Sequence, residues 1–166
     1  MLYLLDANLL ITAVNTYYGI TRVPEFWSWL EQGRAGYIKM PHEMYEEVLE
    51  VRNESDELLD WVKKDAIRKA LLFDEASNAD LVRKPVREGY GSDLSDDEVE
   101  KIGRDPFLIS YGLVDRNRCI VTTEVSKPTR TRHNRHIPDV CTTLKVNCGG
   151  PWDLNINLAF KTGWKG

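Results

Sequence analysis

The first dozen residues carry the most informative hydrophobic pattern in the chain. A short apolar run over residues 2–5 ends abruptly at Asp6, and a second apolar stretch over residues 8–16 follows at once. The first run predicts a buried strand and the second a helix. Asp6 would then stand at the carboxyl end of a central strand, which is the edge where open α/β sheets build their sites.

Apolar runs later in the chain predict three further strands. They lie at residues 37–40, at 119–122 as a second central strand, and at 144–146 as an edge strand. Residues 74–101 are interrupted by Pro and Gly, and they predict only a loop over 92–97 that leads into a short helix.

Helices are predicted between the strands from start signals and helical spacing. The start signals, in chain order, are Pro24, Pro41, Asp105-Pro106, Asp139 and Pro151. Gly33 should stop the first of these helices, and the second should run to about Val51. Residues 55–69 predict one more helix. This alternation predicts a parallel sheet with helices on both faces.

Composition narrows the class of protein. The chain has 166 residues, 42% hydrophobic and 29% charged, which fits one globular domain with a sizeable core. No apolar run approaches about 18 residues, so we expect no membrane span, and the N-terminus lacks the basic region of a signal peptide. Three cysteines without CxxC spacing argue against a disulfide framework or a structural zinc site and suit a cytoplasmic location.

The net charge is −4, from 22 basic and 26 acidic side chains. This balance argues against a protein that grips nucleic acid by bulk charge alone. It does not exclude a nuclease, because metal ions held by acids present positive charge locally.

Three acids are expected at the carboxyl edge of the sheet from their place in the pattern. Asp6 and Glu124 each follow a predicted central strand, and Asp105 begins a predicted helix. Helix capping is the simpler alternative for Asp6 and Asp105. The simpler alternative for Glu124 is an ordinary loop acid.

A fourth acid is selected from the glutamates on the helix after the second strand. At about 100° per residue, one apolar stripe of this helix contains Met44, Val48 and Val51. Glu47 falls beside the stripe, Glu46 and Glu50 fall on the far side, and Glu43 lies between. We therefore expect Glu47 to join the other acids, and the remaining three to be solvated.

Carboxylates brought together repel one another, and a divalent metal ion between them removes that cost. Oxygen-only ligation suits Mg²⁺ or Mn²⁺. The chain contains no P-loop, no GxGxxG and no Ser–His–Asp order, so metal-assisted hydrolysis is the expected reaction class. A phosphatase-like enzyme is an alternative, but that class usually has Asp-x-Asp where this chain has Asp6-x-Asn8.

The chain resembles a PIN domain in four pieces that follow the order and roughly the spacing of that family. They are Leu4-Leu5-Asp6-Ala7-Asn8, Glu46-Glu47-Val48, Asp105-Pro106-Phe107-Leu108-Ile109 and Val121-Thr122-Thr123-Glu124. Within that family it is similar to a PIN-like branch long described as a domain of unknown function. That similarity rests on Tyr17-Tyr18-Gly19, Phe26-Trp27-Ser28-Trp29-Leu30, Asp56-Glu57-Leu58 with Trp61, and Ile137-Pro138-Asp139-Val140-Cys141.

The resemblance implies a single domain over residues 1–166 with a three-layer α/β/α sandwich and a central, mostly parallel sheet. It implies a Mg²⁺- or Mn²⁺-dependent endoribonuclease with a catalytic, metal-binding cluster of Asp6, Glu47, Asp105 and Glu124. Many bacterial and archaeal PIN domains are toxins of type II toxin–antitoxin pairs. A cognate antitoxin is therefore the expected protein partner, and a homodimer is an alternative association.

Two polar residues would support this cluster. Asn8 resembles the residue that braces the first acid, and Thr122 the hydroxyl near the fourth. Most PIN domains have Asp or Asn-Asp after this strand, whereas this chain has Thr123-Glu124. The longer Glu124 side chain would bind metal through water or not at all, and Asp139 is the substitute candidate.

A basic segment begins three residues after Glu124. It contains Lys127, Arg130, Arg132 and Arg135, with His133 and His136 among them. These side chains would hold RNA phosphates beside the metals, and a solvated mobile loop is the alternative. The two histidines have zinc-like spacing, but no second ligand pair accompanies them.

Two questions stay open at this level. The aromatic residues Tyr17, Tyr18, Phe26, Trp27 and Trp29 predict core packing or, alternatively, a partly exposed groove for an antitoxin helix or a second copy. The altered fourth acid also leaves a binding module with weak or no catalysis as the alternative to a nuclease.

Overall fold

The sheet of the computed structural model, which describes residues 1–51 and 57–163, has four parallel strands. They are β1 (Leu2–Leu5), β2 (Ile38–Lys39), β3 (Arg118–Val121) and β4 (Asn147–Gly149), in the order β2-β1-β3-β4. The two apolar runs that predicted central strands form β1 and β3. Both runs are continuously apolar because helices cover the two faces of the sheet and bury the strand side chains on each.

Helices cover both faces of this sheet, so the predicted three-layer α/β/α sandwich is confirmed. In chain order they are α1 (Ala7–Asn15), α2 (Pro24–Glu31), α3 (Gly33–Gly36), α4 (His42–Glu50), α5 (Glu57–Val62), α6 (Asp65–Leu71), α7 (Ala79–Lys84), α8 (Asp96–Ile102), α9 (Asp105–Val114), α10 (Ile137–Leu144) and α11 (Pro151–Asn157). Of the described helices, none is long and apolar enough to cross a membrane.

The prediction of a single helix over residues 55–69 is wrong for the residues of this range that the structure describes. The chain forms α5 and α6 with a break at Lys64, whose backbone is extended. Tyr45 on α4 donates its hydroxyl proton to the Val62 carbonyl at 2.8 Å, which satisfies one of the last carbonyls of α5. Ser55 lies outside the described residues.

The segment over 74–101 contains more helix than its sequence predicted. Pro85 does not break α7; the chain continues as a π-helical segment, Pro85–Tyr90, in which Gly91 donates to the Val86 carbonyl at 2.9 Å. This wider turn accommodates the glycine-rich end of the segment against α10, where a Cβ at Gly89 would lie 2.4 Å from Val140.

Two boundaries near the C-terminal end also differ from prediction. Lys145 is left-handed with φ 58° and ends α10, so the edge strand begins at Asn147 and not at 144. Asp139 lies inside α10, whose N-cap is His136, so Asp139 does not cap this helix.

Gly33 begins the short α3, after α2 has ended at Glu31.

The aromatic cluster lies mostly in the core. Phe26, Trp27 and Trp29 on α2 are buried, and Tyr18 is half-buried with its ring stacked 4.2 Å from that of Phe26. Tyr17 differs from these four because 84% of it is exposed. The prediction of core packing is therefore confirmed for the aromatic residues of α2 and is wrong for Tyr17.

Candidate functional site

Asp6 lies at the centre of the carboxyl edge of the sheet. The β1–β3 register pairs Leu5 with Val121, so the residues that follow these strands meet side by side. Asp6 is only 2% exposed, and its Oδ2 accepts a hydrogen bond of 2.6 Å from the Thr122 hydroxyl. Asp6 occupies the N-cap position of α1, but its side chain makes no capping hydrogen bond of normal geometry.

Burial raises the pKa of Asp6 above its ordinary value. The Thr122 hydroxyl and the backbone N–H groups of Asn8 and Ala7 lower the pKa, and the negative charge of Glu124 raises it again. The net increase means that the carboxylate is held in the fold without enough compensating positive charge.

Glu47 and Asp105 approach Asp6 from two helices. On α4 the far-side glutamates Glu46 and Glu50 are exposed, whereas Glu47 is half-buried beside the apolar stripe. Burial and then the charge of Asp6 raise the pKa of Glu47. Asp105 is the first residue of α9, and its pKa is raised to about 7, by burial and by the charges of Asp6, Glu124 and Glu47.

Glu124 completes the acidic group from the loop after β3. Its backbone N–H donates to the Thr122 hydroxyl at 3.1 Å, so that hydroxyl bridges Glu124 and Asp6. Its Oε2 accepts from the Ile137 backbone N–H at 2.7 Å, at the first turn of α10. The charge of Glu124 contributes to the raised pKa values of both Asp6 and Asp105.

The four carboxylates are thus electrostatic neighbours: Glu124 raises the pKa of Asp6, and Asp6 raises the pKa values of Glu47 and Asp105. Within the described residues none of the four forms an ion pair. No group of three or more His, Cys, Asp or Glu side chains in residues 1–51 and 57–163 is arranged to hold a metal ion as it stands. Electrostatic coupling acts over longer distances than direct ligation, so the two findings are compatible.

The donor chemistry of the group nevertheless fits a hard divalent cation. The acids supply only carboxylate oxygens, and Asp6 is buried without a cationic partner among the described residues. Such a set suits Mg²⁺ or Mn²⁺ and not a soft metal. The residues that could hold the ion are Asp6, Glu47, Asp105 and Glu124.

Tyr90 is a supporting residue that the sequence did not reveal. Its buried hydroxyl donates to Asp105 Oδ2 at 2.9 Å, and this bond opposes the effect of burial on the pKa of Asp105. Tyr90 ends the π-helical segment, which belongs to the part of the chain whose pattern predicted little.

Arg104 is a second residue missed by sequence reasoning. One terminal nitrogen, Nη2, donates to Glu50 Oε1 at 2.7 Å, while the other, Nη1, is buried and has no hydrogen-bond partner among the described residues. The Arg104 charge also lowers the pKa of Glu47, against the larger effect of burial. Its position directly before Asp105 was the available signal.

The three supporting residues predicted from the sequence differ in whether they contact the acidic group. Thr122 binds Asp6, whereas Asn8 is exposed and its side chain makes no hydrogen bond within the described part of the chain. Asp139 accepts from the Ser126 hydroxyl at 2.6 Å and from the Lys127 backbone N–H at 2.8 Å. Asp139 therefore holds the loop after Glu124, and its charge contributes to none of the raised pKa values in the acidic group.

The four basic side chains of the segment after Glu124 divide into two pairs. Arg132 forms ion pairs with Glu98 at 2.6 Å and Asp93 at 2.9 Å. Arg135 donates to backbone carbonyls, including that of Gly89, and to Thr143. These two arginines hold the segment against the fold.

Lys127 and Arg130 form the second pair. Both are exposed and make no ion pair within the described residues. His133 lies 3.0 Å from Glu98, which accounts for its placement without a zinc ion. Of the proposed RNA contacts, Lys127 and Arg130 are the two with unengaged charges.

Comparison with known proteins identifies a family but assigns no activity. A family model described as a domain of unknown function (DUF4411) matches residues 3–161, nearly the whole chain. No curated protein and no solved structure matches the chain.

Proposed function

The chain belongs to the DUF4411 family, and we propose from its site that it is a metal-dependent ribonuclease. The observation that carries the proposal is the placement of Asp6, buried and without a cation, among three further carboxylates that raise its pKa or have theirs raised by it. Burying such charges together costs free energy, so the arrangement is best explained by a function that needs them.

The four carboxylates would hold Mg²⁺ or Mn²⁺ at the edge of the sheet. When bound, such an ion supplies positive charge for phosphoryl oxygens and makes a water molecule more acidic. Asp6 and Asp105 are fixed by the hydroxyls of Thr122 and Tyr90. Glu47 and Glu124 are longer and only partly buried, so we expect these two to change rotamer when the ion binds.

The cations near the acids support a phosphodiester substrate. Arg104 stands next to Asp105, and its Nη1 has no hydrogen-bond partner among the described residues. Lys127 and Arg130 lie exposed in the loop that follows Glu124. Because the net charge is −4, binding would depend on these local cations and on the metal, and RNA is the substrate we propose.

Cleavage of a mixed pool of tRNA, mRNA and rRNA tests this proposal. The wild-type chain, Asp6→Asn and Glu46→Gln would be compared in EDTA, Mg²⁺ and Mn²⁺. Glu46 is a matched control, since it is an exposed glutamate on the same helix as Glu47. We expect metal-dependent cleavage that Asp6→Asn loses and Glu46→Gln retains. Cleavage at the wild-type rate by Asp6→Asn would contradict the assignment of the site.

We further propose that the chain acts in the cytoplasm as the toxin of a type II toxin–antitoxin pair. The support is the resemblance to PIN domains, and the expected partners are a cognate antitoxin and a second copy of the chain. Growth after induction is the test. A toxin should stop growth and Asp6→Asn should relieve the arrest; continued growth with the wild-type chain would contradict the toxin role.

One observation favours a second candidate, a PIN-like module that binds RNA or protein with weak or no catalysis. The Glu124 carboxylate is already engaged by the Ile137 backbone N–H at 2.7 Å, so it is partly committed to the fold. RNA binding without metal-dependent cleavage in the pool experiment would support this candidate over the nuclease.

A further inference from the structure

An apolar pocket opens beside the acidic group. It has a volume of about 190 Å³, and its lining includes Leu9 and Ala13 of α1, Phe26 of α2, and Thr123. Leu9 follows Asp6 by three residues, which is about 5 Å along a helix axis, and Thr123 immediately precedes Glu124. The pocket is therefore next to the proposed metal site.

We propose that this pocket binds one unpaired nucleobase of the RNA strand, next to the phosphate held at the acids. The inference rests on the proposed nuclease function and names how its substrate is held. Size is the first argument, because a cavity of about 150 Å³ accommodates benzene. The pocket thus has room for one flat ring but not for the row of side chains that a docked helix inserts.

The lining matches the chemistry of a base. None of the residues that line the pocket in the described chain is charged. The surface exposed to the pocket is entirely apolar, including the parts of Thr12, Tyr17 and Thr123 that line it. A nucleobase has two apolar faces, which an apolar wall can cover while the polar edge of the base stays in water.

Tyr17 supplies the surface on which a base would stack. Its ring is 84% exposed at the pocket, whereas the neighbouring Tyr18 is stacked on Phe26. The charge pattern fits a single strand as well: an uncharged aromatic pocket lies beside the proposed phosphate site, and Lys127 and Arg130 follow Thr123 in the chain. Aromatic platforms that alternate with cations are typical of proteins that bind single strands.

The test is binding of a single-stranded RNA that contains 2-aminopurine, whose fluorescence falls when the base stacks. Every protein keeps Asp6, because the phosphate beside the base is held through that site. The buffer contains Ca²⁺, a divalent ion that also takes oxygen ligands, in place of Mg²⁺, and fluorescence is recorded immediately after mixing. The variants compared with the wild-type parent are Tyr17→Ala, Tyr17→Phe, Ala13→Leu to fill the pocket, and Tyr37→Ala. Tyr37 is the matched control, an exposed tyrosine just before β2 and hence at the opposite edge of the sheet.

We expect quenching with the wild-type parent, with Tyr17→Phe and with Tyr37→Ala. Tyr17→Ala should weaken binding roughly tenfold, as expected for loss of one base–aromatic stack. Ala13→Leu should remove the quenching while its circular dichroism stays native. Two results would overturn the proposal: equal affinity and equal quenching in all five proteins, or no quenching in the parent. A pocket used by a protein partner predicts the first of these results.

Cleavage by the same proteins in Mg²⁺ separates this proposal from the nuclease proposal. If the chain cleaves RNA but Tyr17→Ala changes neither cleavage nor binding, the pocket assignment fails and the nuclease stands. If the base is bound and quenched but no form cleaves RNA, the pocket stands and the nuclease fails.

Discussion

At the scale of single residues, the acidic group is a source of instability that a bound cation would relieve. Burial and neighbouring charges raise the pKa of Asp105 from the ordinary 3.8 to about 7. Between these values the folded chain holds a proton that the unfolded chain has released. Stability from this residue is therefore greatest below about pH 4 and is lost as the pH rises through 7.

Asp105→Asn should therefore stabilise the metal-free protein at pH 8. Asn cannot ionise and can still accept the Tyr90 hydrogen bond, so the variant should gain about 2–4 kcal/mol. The measurement is urea unfolding in EDTA at pH 5.5 and pH 8. A gain that is large at pH 8 and smaller at pH 5.5 is expected; a loss of stability at pH 8 would show that Asp105 is paired favourably in the fold.

Thr122 should control the metal affinity of Asp6. Its hydroxyl hydrogen bond of 2.6 Å lowers the pKa of the buried carboxylate, so Thr122→Val raises that pKa further. We expect Mn²⁺ affinity at pH 7 to fall roughly tenfold, which corresponds to the loss of one hydrogen bond to a charged group. Thr122→Ser keeps the hydroxyl and should restore the affinity in a calorimetric titration; no effect of Val would mean that the bond does not tune Asp6.

At the scale of elements, sequence patterns located the parts of the site that depend on local order. The apolar runs of β1 and β3 fixed where Asp6 and Glu124 emerge, and the stripe on α4 distinguished Glu47 from its exposed neighbours. The patterns did not place Tyr90, because the π-helical segment packs against α10, which lies far along the chain.

The π-helical segment should position Tyr90 over Asp105. A Cβ at Gly89 would meet Val140 at 2.4 Å, so Gly89→Ala forces this segment away from α10. We expect a loss of about 1–3 kcal/mol in unfolding free energy and a lower Mn²⁺ affinity, as overpacking displaces the tyrosine. Arg87→Ala changes an exposed residue of the same segment and should do neither. If Gly89→Ala is destabilised but binds Mn²⁺ with native affinity, the π-helical segment does not influence the metal site.

The basic segment after Glu124 should contain residues that bind RNA and other residues that stabilise the fold, and mutation can distinguish the two sets. Lys127→Ala with Arg130→Ala removes exposed charges, so RNA binding should weaken and its logarithmic salt slope should fall by about 1.4, with little change in stability. Arg132→Ala breaks the pairs with Glu98 and Asp93 and should chiefly lower stability. Binding titrations from 50 to 200 mM salt check this, and an unchanged slope in the double variant would dismiss its role.

At the scale of the whole molecule, the sequence predicted the layered α/β fold because strand and helix alternate along most of the chain. It did not predict the division of the basic segment, since the partners of Arg132 lie 34 and 39 residues away in the sequence. The break between α5 and α6 likewise depends on Tyr45, a residue of another helix. Long-range contacts of this kind leave no local signal.

Four separated stretches of chain should fold to form one metal site. Mn²⁺ titration calorimetry on the purified chain tests it most directly, with Asp6→Asn and Glu46→Gln alongside. We expect one or two Mn²⁺ sites with release of protons near pH 7, lost in Asp6→Asn and unchanged in Glu46→Gln. Absence of Mn²⁺ binding, or binding that survives Asp6→Asn, would contradict it.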